Sequence, residues 1–117
     1  MAANAGILIG WTRAFPGKEA QAVQKFGEYV GYLTKLQSEK RIESFEPAII
    51  NPHGGDLNGF FIIRGDRNKL HELKGTDHWK DWLALGSFLL DGFGAQEIFL
   101  GEEFVGFMGR FQKLVNE

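Results

Sequence analysis

Ile42-Glu43-Ser44-Phe45-Glu46-Pro47-Ala48-Ile49-Ile50-Asn51 and Leu57-Asn58-Gly59-Phe60-Phe61-Ile62-Ile63-Arg64 flank the segment Pro52-His53-Gly54-Gly55-Asp56. This stretch decides the fold. Gly54 and Gly55 accept positive φ at no steric cost, and Pro52 has no N–H for a central ladder, so the chain reverses there and its flanks pair as a hairpin. Pro47 places the first arm at a sheet edge or a bulge. The second arm carries the larger clue. Phe60 to Ile63 are apolar at both parities, whereas a strand with one solvated face alternates. Both faces of the sheet are therefore expected to be covered.

Upstream of the hairpin, Lys18 to Lys40 reads as a long helix. Ala22, Val23, Phe26, Val30, Leu33 and Leu36 recur at steps that build one apolar stripe, with Lys25, Glu28, Lys35 and Glu39 between them. Gly27 and Gly31 inside that helix suggest a close approach to another backbone. Gly6 to Arg13 reads as a strand ended by Phe15-Pro16-Gly17. It too is apolar at both parities, through Ile7, Leu8 and Ile9. Downstream, Asp66 or Asn68 caps a short helix carrying Leu70 and Leu73, which Gly75 interrupts. Thr76 then caps a second helical segment, Asp77 to Leu90. Ala95 to Leu100 reads as the last strand, and Phe104, Phe107, Phe111 and Leu114 step along a terminal helix. The order is β-α-β-β-α-β plus that helix. Such a unit builds an antiparallel sheet with both helices on one face. A second copy of the chain is the expected cover for the other face, hence a homodimer.

Composition bounds the function. The chain has 117 residues, a net charge of −2 and no cysteine. One domain is expected, without a disulfide frame or a thiolate chemistry. The absence of a basic field argues against a nucleic-acid partner. The longest apolar run, Phe60 to Ile63, is far below a membrane span, and no positive charge precedes Ile7 to Ile9 as in a signal peptide. A soluble, cytoplasmic protein is expected. Eleven Phe, three Trp and two Tyr point to a bulky interior or to a cavity or interface lined with rings.

With this element order, and with Thr76-Asp77-His78-Trp79-Lys80-Asp81-Trp82-Leu83 opening the second main helix, the chain resembles the dimeric α+β barrel superfamily. This is a ferredoxin-like group that includes the antibiotic-biosynthesis-monooxygenase type domains. The resemblance covers about residues 5–103, with the added helix at about 104–116. It implies that two copies pair their sheets face to face. It also implies a small-molecule site for an apolar or aromatic substrate, served by a cofactor-free monooxygenase or isomerase chemistry. A non-catalytic dimerisation or ligand-binding module is the alternative. The haem-degrading branch carries a histidine further along the second helix, where this chain has Phe88, Leu89 and Leu90, so no haem, metal or other cofactor is expected.

Among residues that could carry chemistry, His78 stands first, because an imidazole near neutrality can move a proton. It is the candidate catalytic residue, set against an exposed first-turn histidine without a role. His78 and Trp82 are four apart on one helix face and could reach one cleft. Thr76, Trp11, Trp82, Arg64 and Glu97 are the candidate substrate-binding residues: rings for contact, charges for the polar end of a pocket. For the tryptophans a core role is the competing reading; for Arg64 and Glu97, with Arg13 and Glu103, a solvated sheet end is. His71 and His53 form no ligand set with His78.

Overall fold

The computed structural model describes residues 5–116, and its first strand shows why the sheet sorts its side chains by parity. In β1 (Ala5–Trp11), Ile7 and Ile9 are buried, while Leu8 between them is half-buried. The same holds in β4 (Gly59–Gly65), where Phe61 and Ile63 are buried and Phe60 and Ile62 half-buried. The remaining elements are β2 (Arg13–Ala14), α1 (Glu19–Ser38), β3 (Ser44–Ile49), α2 (Arg67–Lys74), α3 (Asp77–Leu89), β5 (Leu90–Asp91), β6 (Gly94–Phe99) and α4 (Gly101–Val115). The fold class is α+β. A four-stranded antiparallel sheet runs β3-β4-β1-β6, and β2 pairs β5 in a separate two-stranded sheet.

Register fixes what faces what. Ile7 lies opposite Ile63, and Ile63 opposite Phe45; Ile9 lies opposite Phe61, and Phe61 opposite Pro47. These positions share the face that packs with Tyr29, Tyr32, Leu33, Leu36, Leu70, Leu73 and Trp79 of the helices. Pro47 sits in an edge strand, as its missing N–H requires. Within one chain the helix-free face, with Leu8, Phe60 and Ile62, is half-covered, and the cover expected for it, a second copy, lies outside the single chain.

Several element bounds differ from those expected. The strand expected at Gly6 to Arg13 is two strands, because at Thr12 the backbone N–H turns to the Asp91 carbonyl (2.8 Å) and begins the second sheet. The hairpin arms are shorter than expected, although Ile50 N–H still donates to Asn58 O (2.9 Å) beyond the ladder. In α1 the buried stripe is Tyr29, Tyr32, Leu33 and Leu36, whereas Val23 is 75% exposed. The stripe is rotated from the expected one because Tyr29 and Tyr32 bury their rings, a contribution that a count of aliphatic and Phe positions overlooks. Gly27 and Gly31 are exposed, and among the described residues nothing lies within 4 Å of where their Cβ atoms would be, so no described part of the chain makes the expected backbone approach.

Two caps set the angle of the helical layer. Asp66 accepts from Lys69 N–H at 3.1 Å and opens α2; Thr76 accepts from Trp79 N–H at 3.3 Å and opens α3. Gly75 ends α2 between them, and the paired caps direct Leu70, Leu73 and Trp79 into the core. The last helix starts earlier than expected, at Gly101, whose φ is +53°. Its root is clamped: Arg67 donates from Nε to Glu103 Oε2 (3.1 Å) and from Nη2 to Oε1 (2.6 Å) and to the Ile98 carbonyl (3.0 Å). Phe107 stacks on Phe99 with centroids 4.5 Å apart.

Glu97 yields a test of these surface pairs. Its carboxyl is held below its ordinary value of 4.5, first by the hydrogen bond from Lys74 (2.9 Å), then by the charges of Lys74 and Arg67. A lowered folded-state pKa stabilises the fold above the ordinary value and loses that contribution as pH falls through the lower one. Glu97 is half-exposed, so solvent screening limits the effect to less than about 1 kcal/mol. Glu97→Gln should therefore be slightly less stable than the parent at pH 7, with the difference vanishing in strong acid. Urea melts across pH 2–7 measure it, the span bracketing the carboxylate range.

Candidate functional site

Between the first half of α1, α3 and the sheet the core is not filled. A cavity of about 500 Å³ lies there, floored by Ile9, Trp11 and Phe61 and walled by Ala22, Phe26 and Tyr29 of α1 and by Trp82, Leu83 and Gly86 of α3. Ala14, Leu90 and Phe93 line its end beside the small second sheet, and Glu19 and Lys25 are its charged lining residues. The rest of the lining is overwhelmingly apolar.

Two glycines shape the walls. Gly59 is the cross-strand partner of Trp11, and a Cβ there would come within 2.6 Å of the indole, so only glycine lets that ring lie across the neighbouring strand. Gly86 does the same in α3, where a Cβ would press into the ring of Phe93. The rings then knit together around Phe61, whose centroid is 5.8 Å from Trp11, 5.1 Å from Phe26 and 5.2 Å from Tyr29. Tyr29 meets Trp82 edge-on at 5.0 Å. Such tilted and edge-to-face pairs are the favoured geometries of aromatic contact.

The electrostatics are those of an apolar site. Burial pushes the Tyr29 phenol far above its usual range, with neighbouring Tyr32 adding to it, so Tyr29 stays a neutral hydroxyl. Burial raises Tyr32 as well, against the opposing charge of Arg41. Among the described residues, the Tyr32 hydroxyl and Trp82 Nε1 are enclosed without a hydrogen-bond partner. Each such group destabilises the fold by about 1–3 kcal/mol. No cluster of three or more His, Cys, Asp or Glu with metal-holding geometry occurs among the described residues.

Of the residues singled out in the sequence, the cavity brings together Trp11 and Trp82. His78 is exposed and lies against Tyr32, ring centroids 4.5 Å apart; Tyr32 stands between it and Trp82, which is 6.0 Å from Tyr32. Thr76 is occupied as a cap and donates its hydroxyl to the Leu73 carbonyl (2.8 Å). Arg64 belongs to the opposite sheet face and meets Glu46 at 3.4 Å. Glu97 is engaged with Lys74 and Arg67. None of these four lines the cavity. His53 braces the hairpin loop: Gly55 N–H donates to its Nδ1 (3.2 Å), which places the ring proton on Nε2, 2.9 Å from the Leu57 carbonyl. Phe26, Tyr29, Phe61 and Phe93 escaped the sequence reading as site residues. Tyr29 carried a usable signal, standing four before Leu33 and seven before Leu36 on the buried stripe.

Set beside known proteins, the chain matches no family model, no curated protein and no solved structure.

Trp82 offers a direct check on the buried, unpaired indole. Trp82→Phe keeps a ring in the wall and removes the unsatisfied donor, so the lost packing is offset by a relieved desolvation cost. The thermal midpoint should stay level or rise, whereas Trp82→Ala should lower it by roughly ten degrees or more, as expected for about 3–5 kcal/mol of lost packing. Calorimetry of the two variants distinguishes them.

Proposed function

We propose that this chain is a ferredoxin-like, dimeric α+β barrel domain that binds a small apolar molecule carrying an aromatic ring. The observation that carries the reading is the ring-lined cavity of about 500 Å³ between the helices and the sheet. That volume falls within the range typical of small-molecule pockets, and the predominance of apolar and aromatic lining with few polar groups is their usual chemistry. Binding is favoured over turnover, because the titratable lining groups are Glu19, Lys25 and Tyr29, the last held neutral, and His78 stands outside. Flat ring faces from Trp11, Phe26, Phe61 and Trp82 would sort ligands by shape and planarity.

The strand order β3-β4-β1-β6 with α1, α2 and α3 packed on one face supports the ferredoxin-like assignment. The half-covered Leu8, Phe60 and Ile62 on the opposite face support pairing of two sheets. An obligate interface of that kind buries on the order of 2,000 Å² or more.

Occupancy is read by melting. A two-ring probe such as naphthalene should raise the melting point, since a ligand that binds only the native state at about 100 times its Kd adds roughly 2.7 kcal/mol. Ala22→Trp, which fills the cavity from α1, should remain folded and lose the shift. An unchanged parent melting point across a panel of fused-ring compounds would leave the cavity without this function. Assembly is read separately by light scattering. The parent should have twice the 13.1 kDa chain mass, and Ile62→Asp should be monomeric or unfolded, because an unpaired carboxylate on a buried face is costly.

A further inference from the structure

We infer that the ring held in the cavity carries a neutral hydrogen-bond acceptor, a ring nitrogen or a carbonyl oxygen, which accepts from the Tyr29 hydroxyl. The inference rests on the ligand-binding reading above and deepens it. Tyr29 is buried in the wall of the cavity. A helical side chain leans toward the N-terminus of its own helix, so the phenol reaches back along the first half of α1, the half that covers the hollow. Its ring is held by two others: Phe61 meets it at 74° with centroids 5.2 Å apart, and Trp82 at 64° and 5.0 Å. A hydroxyl on a ring so held is aimed before any ligand arrives. Among the described residues no hydrogen bond engages it, and it is not one of the sealed, unpartnered atoms, which are the Tyr32 hydroxyl, Trp82 Nε1 and Arg67 Nη1. A hydroxyl that is neither bonded nor sealed faces open space, and the open space at Tyr29 is the cavity.

The chemistry of the occupant follows from what else lines the hollow. A hydrocarbon ring would strand the phenol O–H in an apolar enclosure, and a donor left unmade costs more than a made hydrogen bond gains. An anion is served worse. Lys25 donates to Glu28 Oε1 at 3.0 Å and Glu19 accepts from Gly17 N–H at 2.8 Å, both in exposed contacts. The two charged lining residues are thus engaged at the surface, and a ligand carboxylate would lose its water without gaining a cation. Burial keeps the Tyr29 phenol neutral, so it offers an O–H and never a phenolate. Its oxygen lone pairs are partly drawn into the ring, which makes it a better donor than acceptor. A neutral lone pair on the ligand is the complement of such a group. A site with a buried donor of this kind rejects the analogue that lacks the partner atom.

Naphthalene, quinoline and isoquinoline share one shape and differ by the presence and place of a ring nitrogen. Melting-point shifts at graded concentrations, at mildly alkaline pH where the nitrogen is unprotonated, give a Kd for each. The comparison is made within each compound, between the parent and Tyr29→Phe, so that their different solubilities cancel. Tyr29→Phe should weaken at least one of the aza-rings by roughly tenfold and leave naphthalene unchanged or tighter. Tyr32→Phe, which removes a sealed hydroxyl outside the lining, should change none of them. Circular dichroism checks that both variants fold. In the parent alone, the nitrogen resonance of the bound aza-ring should stand at its hydrogen-bonded value rather than at its value in hydrocarbon, a reading that needs no variant. Equal effects of Tyr29→Phe on naphthalene and both aza-rings would overturn the inference and leave the ligand-binding reading intact. A tenfold loss confined to indole, which has an N–H and no ring lone pair, would overturn it too, by showing the hydroxyl as an acceptor. Failure of every ring to shift the parent would overturn both.

Discussion

The packing of Phe61 holds the molecule together. Its ring sits at the centre of the sheet, 2% exposed, and touches rings from β1 and α1 at once. Through Tyr29 that contact extends to Trp82 and so to α3. Four elements are thus tied by flat, stiff side chains rather than by interdigitating aliphatic ones. Rings of this kind fill space in slabs, and slabs leave gaps at their edges. The cavity is the gap on the α1 side of Phe61, and the aliphatic half of the core, with Leu33, Leu36, Leu70 and Leu73, is the side where no gap arises.

The two halves of α1 accordingly do different work. From Tyr29 onward it is a core helix with buried residues at each inward turn. Before Tyr29 it carries Ala22, Val23 and Phe26 over the hollow. Small and β-branched residues there keep the wall thin. The loop Gly75-Thr76 has a comparable effect on the other wall, since a helix restarted by a new cap takes its direction from that cap. This sets Trp79 into the core and Trp82, one turn on, at the cavity.

The α+β class and several single elements were legible in the sequence because their signals are local: Asp66 and Thr76 at their caps, Gly75 between them, Pro47 on an edge, and both-parity apolar runs in β1 and β4. The division of the first strand at Thr12 was not legible, because it depends on Asp91, a partner far along the chain. The site was legible only in part. Trp11 and Trp82 could be chosen as ring-bearing wall residues from their elements alone. His78 shares a helix face with Trp82, but Tyr32 of another helix occupies the intervening space, and helical spacing carries no information about that. Arg64 and Glu97 were grouped by charge, while the pleat sends them to opposite faces of the sheet: Arg64 pairs across with Gly6, and Glu97 with Ile7.

The two-residue ladder between β2 and β5 has a kinetic meaning. Thr12 N–H to Asp91 O and Phe15 N–H to Leu89 O, at 2.8 and 2.9 Å, join the end of the first strand to the end of α3 beside Ala14 and Leu90 of the cavity wall. A sheet this short is cheap to open, because few hydrogen bonds and little apolar area are lost together. Its amides are then the first to exchange with solvent in this part of the fold. The end of the cavity beside Ala14 and Leu90 is therefore the part of its wall that can open without global unfolding.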